Sequence, residues 1–447
     1  MTHVKKRITK ALNNEHLTRA VLKSTTLSVK KRDHLVAEMS DFEAVRATAR
    51  EVRQRSIDNF QAYSDQFADR FVAAGGVIHH ASTAKEACDI VLKLLKEENA
   101  IKGVKSKSMV TEEIGLGQQL EAHGIDAVES DLGEYIVQLA GEPPSHITAP
   151  ALHRSRESIG RLFADKLGVD YTDNPEELTA IARKLMRDRF TEAQFAISGA
   201  NFMIAETGHI AIVENEGNVK MGLSVPPLYI TVAGIDKFLE KPQDLDPIMQ
   251  LLPTSATGQR ATAYFHLLKP TQTGEDGPEQ MHMILLDNGR SAAMQDPEYR
   301  EMMLCIRCGA CLNICPVYRS VGGHAYGTTY PGPMGAVLSN LLGDVPMSQP
   351  ELPELSSLCG ACKDICPVKI DIPRMLLGIR NHSEKPLLHK AAAVTWKVTM
   401  QTPQRYEIGS TLFRTANKLL SVVLKKNPFQ PAKRSFRDLY KARKANR

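Results

Sequence analysis

The sequence predicts an α/β domain with a largely parallel sheet, fronted by a helical arm. Behind it should lie a small, mostly α-helical, cysteine-bound domain that runs into a helical, basic C-terminal tail. Three observations carry this. From Gly76 to about Lys241, short apolar runs alternate with amphipathic helical stretches, the pattern of a parallel sheet covered by helices. After Gly289 the composition changes, and seven of the eight cysteines fall between Cys305 and Cys366. From Leu387 onward the chain reads as helix and then turns basic. The expected divisions are 1–75, 76–290, 291–385 and 386–447.

In chain order, Asp33 to Ala74 reads as long helices, because Phe42, Val45, Ala49, Val52, Ile57, Phe60, Tyr63, Phe67 and Phe71 recur near helical spacing amid charge. This arm is expected to pack on the domain that follows. Strands are expected at Val77-Ile78, Ala127-Val128-Glu129, Ala196-Ile197 and Ile210 to Val213, with helices at Ala84 to Asn99 and Pro175 to Arg189. Leu228 to Ala233 and Met281 to Leu286 are apolar enough to be strands buried on both faces. Between the two cysteine groups, Gly322 to Gly327 and Pro331 to Gly335 read either as backbone brought close to a bound group or as a long connecting loop with tight turns.

Composition bounds the function. With 43% hydrophobic and 24% charged residues the chain is an ordinary globular protein able to bury a large core. Met1 to Lys10 is basic and polar, unlike the apolar core of a secretory signal, and no stretch approaches the roughly 20 apolar residues that cross a bilayer. A cytoplasmic location is expected, and a net charge of +5 is too small to argue for nucleic acid. In the tail, Lys425, Lys426, Lys433, Arg434, Arg437, Lys441, Arg443, Lys444 and Arg447 face Asp438 alone. A solvated, partly disordered tail is the default; docking on an acidic partner or at the periphery of an anionic membrane is the alternative.

The cysteines carry the chemistry. Cys305-Ile-Arg-Cys308-Gly-Ala-Cys311-Leu-Asn-Ile-Cys315-Pro316 follows the C-x2-C-x2-C-x3-C-P run of bacterial-type ferredoxins, in which the fourth thiolate belongs to the other cluster. That rule assigns Cys305, Cys308, Cys311 and Cys366 to one 4Fe-4S cluster, and Cys315, Cys359 and Cys362 to a second. The second is one thiolate short. The missing position is Ser356, so the fourth iron has serinate, water or a partner's ligand, or is absent in a 3Fe-4S centre. Zinc and disulfides fit seven cysteines in this spacing less well. Cys88, alone in a helical stretch, reads as a small buried apolar residue.

Within the α/β domain, three polar elements are candidates for a crevice at the strand ends: Lys105 to Glu113, Gly199 to Gly208 and Pro253 to Arg260. Lys105 and Lys107 alternate like a strand end and could hold an anion such as a carboxylate. Thr111 as a helix cap, with Glu112 and Glu113 favoured by the helix dipole, is the structural alternative. Glu206 and Thr207 sit between two apolar runs, on a hairpin or facing the crevice. Gly115-Leu116-Gly117 lacks the third glycine of a dinucleotide site, and no P-loop or nucleophile elbow is present.

Together these residues resemble the iron-sulfur subunits of the bacterial lactate-utilisation family. The resemblance rests on Cys305 to Arg319, Gly322 to Gly327, Leu358 to Ile370, the Asn201-Phe-Met-Ile-Ala-Glu-Thr-Gly element and Ala432 to Tyr440. It implies a CoA-transferase-like or sugar-isomerase-like α/β domain and a ferredoxin-like dicluster domain. It also implies two companion subunits, one cysteine-rich and related to heterodisulfide reductase, the other a short lactate-utilisation-domain protein. With them the chain would relay electrons as L-lactate becomes pyruvate, with an acceptor such as a quinone. The family's second cysteine run is also one short, so Ser356 is no departure. Two competing functions stand beside this: a carboxylate-sensing α/β module with structural clusters, and a catalytic subunit using an open iron near Ser356 as a Lewis acid.

Overall fold

The structure is a computed structural model that describes residues 3–270, 277–343, 347–382, 387–424 and 436–445. It divides into two units, Met1–His382 and Ser383–Arg447. In the first, six parallel strands form one sheet: β1 (Val77–Ala81), β2 (Lys102–Lys105), β3 (Asp126–Glu129), β4 (Phe195–Ser198), β7 (Leu228–Gly234) and β10 (Gln280–Leu286). Their order is β1-β10-β7-β4-β2-β3. All five pairings are parallel. The central β7 is buried along its whole length, as a strand covered on both faces should be. Behind it Ile197, Ile230, Val232 and Ile284 meet Val91, Leu94 and Leu95 of the helix Ala84–Glu97.

A second sheet was not read from the sequence. It joins β5 (Phe202–Ile204), β6 (His209–Glu214), β8 (Phe238–Leu239) and β9 (Tyr264–Leu268) in the order β8-β5-β6-β9. β5 and β8 are too short to show a period. β9 exposes Tyr264, Phe265 and Leu267, so its pattern is that of an edge strand.

Within the expected arm, 1–75, the helices begin before Asp33: His3–Leu12, Glu15–Glu38, Phe42–Asp58 and Phe60–Ala73. The last two serve different cores. Tyr63, Phe67 and Phe71 pack with Met203 and Phe238, whereas Phe42, Val45, Ala49 and Val52 share a core with Met302, Met303 and Leu304 at the entrance to the cysteine segment. Helix capping also differs from expectation. Ser108, not Thr111, caps the helix Met109–Glu113, its hydroxyl accepting from the Thr111 N–H (3.4 Å), because Thr111 lies inside the first turn with its side chain turned to Lys105.

The second unit contains the helices Leu387–Met400, Pro403–Leu424 and Phe436–Ala445. Lys441, Arg443 and Lys444 of the expected basic tail are exposed. Lys425, Lys426, Lys433, Arg434 and Arg447 lie outside the described residues, as do the Arg437 and Asp438 side chains. No helix among the described residues is long and apolar enough to cross a membrane.

Candidate functional site

The two cysteine runs adopt one backbone motif twice, 51 positions apart (356 less 305). Arg307 and Leu358 both take left-handed backbone (φ 59° and 55°), as do Gly309 and Gly360 (φ 78° and 89°). In each run a short helix follows, Ala310–Ile314 and Ala361–Asp364. The Arg307 N–H donates to Cys305 Sγ (3.4 Å), and the Leu358 N–H donates to Ser356 Oγ (3.1 Å). Ser356 therefore presents its oxygen where the first run presents a sulfur. A non-glycine residue in left-handed backbone is costly, and it recurs here because the turn must aim the N–H inward.

Cys305, Cys308, Cys311 and Cys366 line a single cavity whose remaining wall is mostly apolar, closed by residues such as Leu312 and Met334. Cys308 has Cys305 and Cys366 as electrostatic neighbours, while Cys315 has Cys359. Cys362 has Cys315 and Cys359. Among the described residues, no three cysteine, histidine, aspartate or glutamate side chains converge closely enough to hold one metal ion. Four zinc-bound thiolates would lie about 3.8 Å apart, from a Zn–S bond of about 2.3 Å in a tetrahedron. Four thiols lining one cavity, in the ferredoxin spacing of the sequence, fit a polynuclear iron-sulfur core. Burial pushes the Cys366 thiol up to about 11 and Cys362 up to about 12, so binding iron must expel their protons. Cys88 is buried elsewhere, its thiol donating to the Ile114 carbonyl (3.4 Å).

The arm fastens this segment through a row of arginines that the apolar pattern hid. Arg46 Nη2 donates to the Cys366 carbonyl (2.6 Å), Arg50 Nη1 to Lys369 (2.6 Å) and Arg53 Nη2 to Met303 (2.8 Å). Their i, i+4, i+7 spacing puts all three on one face of the helix Phe42–Asp58. Of the two glycine runs after Cys315, Pro331 to Gly335 approaches the cysteine cavity, with Pro331, Met334 and Gly335 in its wall, whereas Gly322 to Gly327 does not line it. A Cβ on Gly323 would lie 1.9 Å from the Ser145 carbonyl, so the run is small because a loop of the α/β domain docks on it. The same loop brings His146 Nε2 to Asn313 Oδ1 (3.1 Å).

A buried charge network reaches the wall of the cavity at Arg307 and Tyr330. Asp236 pairs with Arg290 (2.9 Å), Lys237 (3.2 Å) and Arg307 (3.6 Å). Arg290 also grips Glu113 (2.8 Å), which accepts from Tyr330 (2.6 Å). Burial alone would raise the Asp236 carboxyl, but Lys237, Arg290, Arg307 and Arg53 hold it well below the usual range. Four cations against two carboxylates leave positive charge beside a cluster of thiolates, which favours added electrons.

Of the α/β candidates, the structure brings Lys105, Glu112 and Thr111 together and leaves Glu206 and Thr207 apart. Lys105 is 2% exposed; its Nζ meets Glu129 (2.5 Å), Glu112 (3.1 Å) and the Thr111 hydroxyl (3.2 Å). Burial disfavours the ammonium, but the two carboxylates outweigh it and raise its pKa. Lys105 is thus neutralised from within. Lys107 is half-buried among Asp131, Glu134, Glu216 and Glu129, with burial lowering its pKa. Glu206 lies on the exposed turn between β5 and β6, its N–H donating to the Glu240 carbonyl (2.9 Å). Thr207 follows it, its hydroxyl buried without a partner. The third element, Pro253 to Arg260, ends the helix Leu245–Thr257 against the arm at Lys31.

Glu134, absent from the sequence candidates, is 3% exposed with Oε1 unpartnered, and burial pushes its carboxyl up to about 8, against the pull of Lys107. The raised folded value means the native state stays protonated while the unfolded chain ionises. Stability is whole below the unfolded value of 4.5 and is lost as pH rises through about 8. Glu134→Gln should remove a penalty of roughly 3–5 kcal/mol at pH 8.5 and leave pH 4 nearly unchanged. Parallel melting temperatures for both proteins across this range would refute the assignment.

The LUD domain model matches residues 64–286, and the 4Fe-4S dicluster domain model matches 301–370. Lactate utilization protein B of Bacillus cytotoxicus is 39% identical over 98% of this chain and 96% of its own length. The protein of that name from Bacillus velezensis is 41% identical over 91% of this chain and 87% of its own. A solved duf162 family protein from Deinococcus radiodurans aligns with 51% of this chain and 98% of its own at 14% identity and a TM-score of 0.30.

Proposed function

The chain belongs to the lactate utilization protein B family, and from that premise we propose that it is the electron-relay subunit of an assembly that oxidises L-lactate to pyruvate. A role in lactate utilisation and electron transfer follows from the family and from the dicluster domain. The observation that carries the finer reading is the doubled cysteine motif, with four cysteines around one cavity. Cys305, Cys308, Cys311 and Cys366 would hold one cluster, and Cys315, Cys359, Cys362 and Ser356 Oγ the other. When bound, such clusters supply one-electron carriers. The chain's own residues fix the thiolates, exclude water with an apolar wall, and set positive charge beside them through Arg307 and the Asp236 network. Oxidation of lactate releases two electrons and two protons, so companion subunits and an acceptor such as a quinone complete the proposal.

Anaerobic purification with iron and sulfide measured, then electron paramagnetic resonance with and without L-lactate and the two companion proteins, tests this. A reduced-cluster signal is expected only when lactate and companions are both present. Clusters that stay oxidised with lactate but accept electrons from dithionite would overturn the relay. Ser356→Cys is expected to keep both clusters, alter only the second cluster's signal and sustain lactate oxidation. Loss of turnover with both clusters intact would instead favour a catalytic open iron.

A further inference from the structure

The two cysteine runs share one backbone turn, yet the chain covers the first turn and leaves the second bare. A Cβ on Gly309 would lie 3.1 Å from Ile147, on the α/β-domain loop that also brings His146 to Asn313. A Cβ on Gly360, the matching residue of the second run, would meet nothing within 4 Å. The neighbouring positions repeat the contrast. Ile306, Cys308, Leu312 and Asn313 are buried, whereas their counterparts Ser357, Cys359, Lys363 and Asp364 are exposed. Residue types follow: at the uncovered turn isoleucine gives way to serine, leucine to lysine and asparagine to aspartate. A face covered permanently keeps apolar side chains, as the first run does, while a small polar face suits a partner that docks and leaves. Lys363 pairs with Asp371 (2.5 Å) and Lys369 with Glu43 (3.2 Å), so no field of one sign dominates it.

We propose that this bare turn is the port at which the chain exchanges electrons with a redox protein carrying a one-electron cofactor near its own surface, and that the first cluster is reached only through the second. The assignment rests on the relay reading above. Electron transfer through protein weakens steeply with distance. Cys359 is exposed, while Cys308, Cys315, Cys362 and Cys366 are buried. A cofactor docked at Cys359 therefore comes close to the second cluster. The first cluster's cysteines instead line a mostly apolar cavity, with Ile147 and Tyr330 in its wall. Each exchange moves one electron from a reduced cluster to the partner's oxidised cofactor, or back, and transfers no bond or proton.

The test uses the full chain, anaerobically reconstituted, reduced with dithionite and freed of excess reductant. It is mixed with ferric cytochrome c, a protein that accepts one electron, or with ferricyanide, a small ion that does the same. Reoxidation of each cluster is followed by rapid-freeze electron paramagnetic resonance. Ser357→Trp and Asp364→Trp put bulk on the face at positions that are not ligands, and should slow cytochrome c at least about tenfold while ferricyanide reacts as with the parent. Cys359→Ala, left with the first cluster alone, should likewise be reoxidised by cytochrome c at least about tenfold more slowly than the parent. Parent-like rates with cytochrome c in both tryptophan variants, or in Cys359→Ala, would overturn the port. A parent that ferricyanide oxidises but cytochrome c does not would show the turn to be covered, by the C-terminal helices or a second copy, and would overturn it too. Because dithionite supplies the electrons, the relay is judged separately. Tryptophan variants that are slowed, with clusters that lactate never reduces, uphold the port and remove the relay; unslowed variants, with clusters that lactate does reduce, do the reverse.

Discussion

Cys366→Ala and Cys305→Ala are expected to lose the same cluster, although 61 positions separate them (366 less 305). Each variant should retain about half of the parent's iron and show only the second cluster's paramagnetic signal. Cys315→Ala and Cys359→Ala should show the converse. The reasoning is spatial: Cys366 lines the cavity of Cys305, Cys308 and Cys311, and Cys315 neighbours Cys359 and Cys362. A local assignment, with each run holding its own cluster, predicts that Cys366→Ala pairs with Cys359→Ala instead. The two outcomes are mutually exclusive, so four iron determinations and four spectra decide between them. The effect is largest for Cys366, a buried thiol that bulk water cannot replace in an apolar cavity.

The charge network beside that cavity explains why the first cluster should accept electrons the more readily. Asp236 is fully buried among Lys237, Arg290 and Arg307, and of these cations Arg307 lines the cavity. The second run has no matching arginine at the position of Arg307, where Leu358 stands. Two clusters built on the same backbone turn, as proposed, would thus receive different electrostatics. A difference in potential between them gives a relay its direction.

The cysteine spacing and the alternation of strands and helices were legible because both are local. Leu228 to Ala233 and Met281 to Leu286 announce buried strands by composition, and they prove to be neighbours in register. Nothing local announces that Arg46 will reach the carbonyl of Cys366, 320 positions away. The only trace in sequence is a set of arginines on the apolar face of a helix, at positions 46, 50 and 53. Leu358 was equally silent, since left-handed backbone at a non-glycine residue is imposed by the fold around it. Lys105 illustrates the opposite limit. Its place at a strand end was readable, but its partner Glu129 comes from the adjacent strand, so a lysine that looked available for a ligand is already neutralised.

Arg53→Met should be the most damaging substitution outside the cysteines. The guanidinium is 0% exposed and donates to the carbonyls of Asp236, Phe238, Met303 and Leu304. Those four come from the helical turn after β7, from β8 and from the approach to Cys305, so one side chain joins the arm, the second sheet and the cysteine segment. Methionine fills much of the volume and stacks on Phe202 as the guanidinium does (5.6 Å), but it satisfies none of the carbonyls. Breaking a buried hydrogen-bonded network of this kind costs about 3–5 kcal/mol. For a unit of this size that corresponds to a fall in Tm of roughly 5 °C. Burial works against the Arg53 charge and lowers its pKa to about 10, with Asp236 opposing, so lysine would be less able than arginine to stay charged there. Arg53→Lys should therefore rescue little, since one ammonium cannot span four acceptors. Cluster loading reports separately from stability: because Met303 and Leu304 lead directly into Cys305, the first cluster's signal should weaken in the variant at temperatures where the chain remains folded, with the second cluster's signal retained. A variant that melts lower yet loads both clusters fully would show that Arg53 braces the fold without positioning the thiolate.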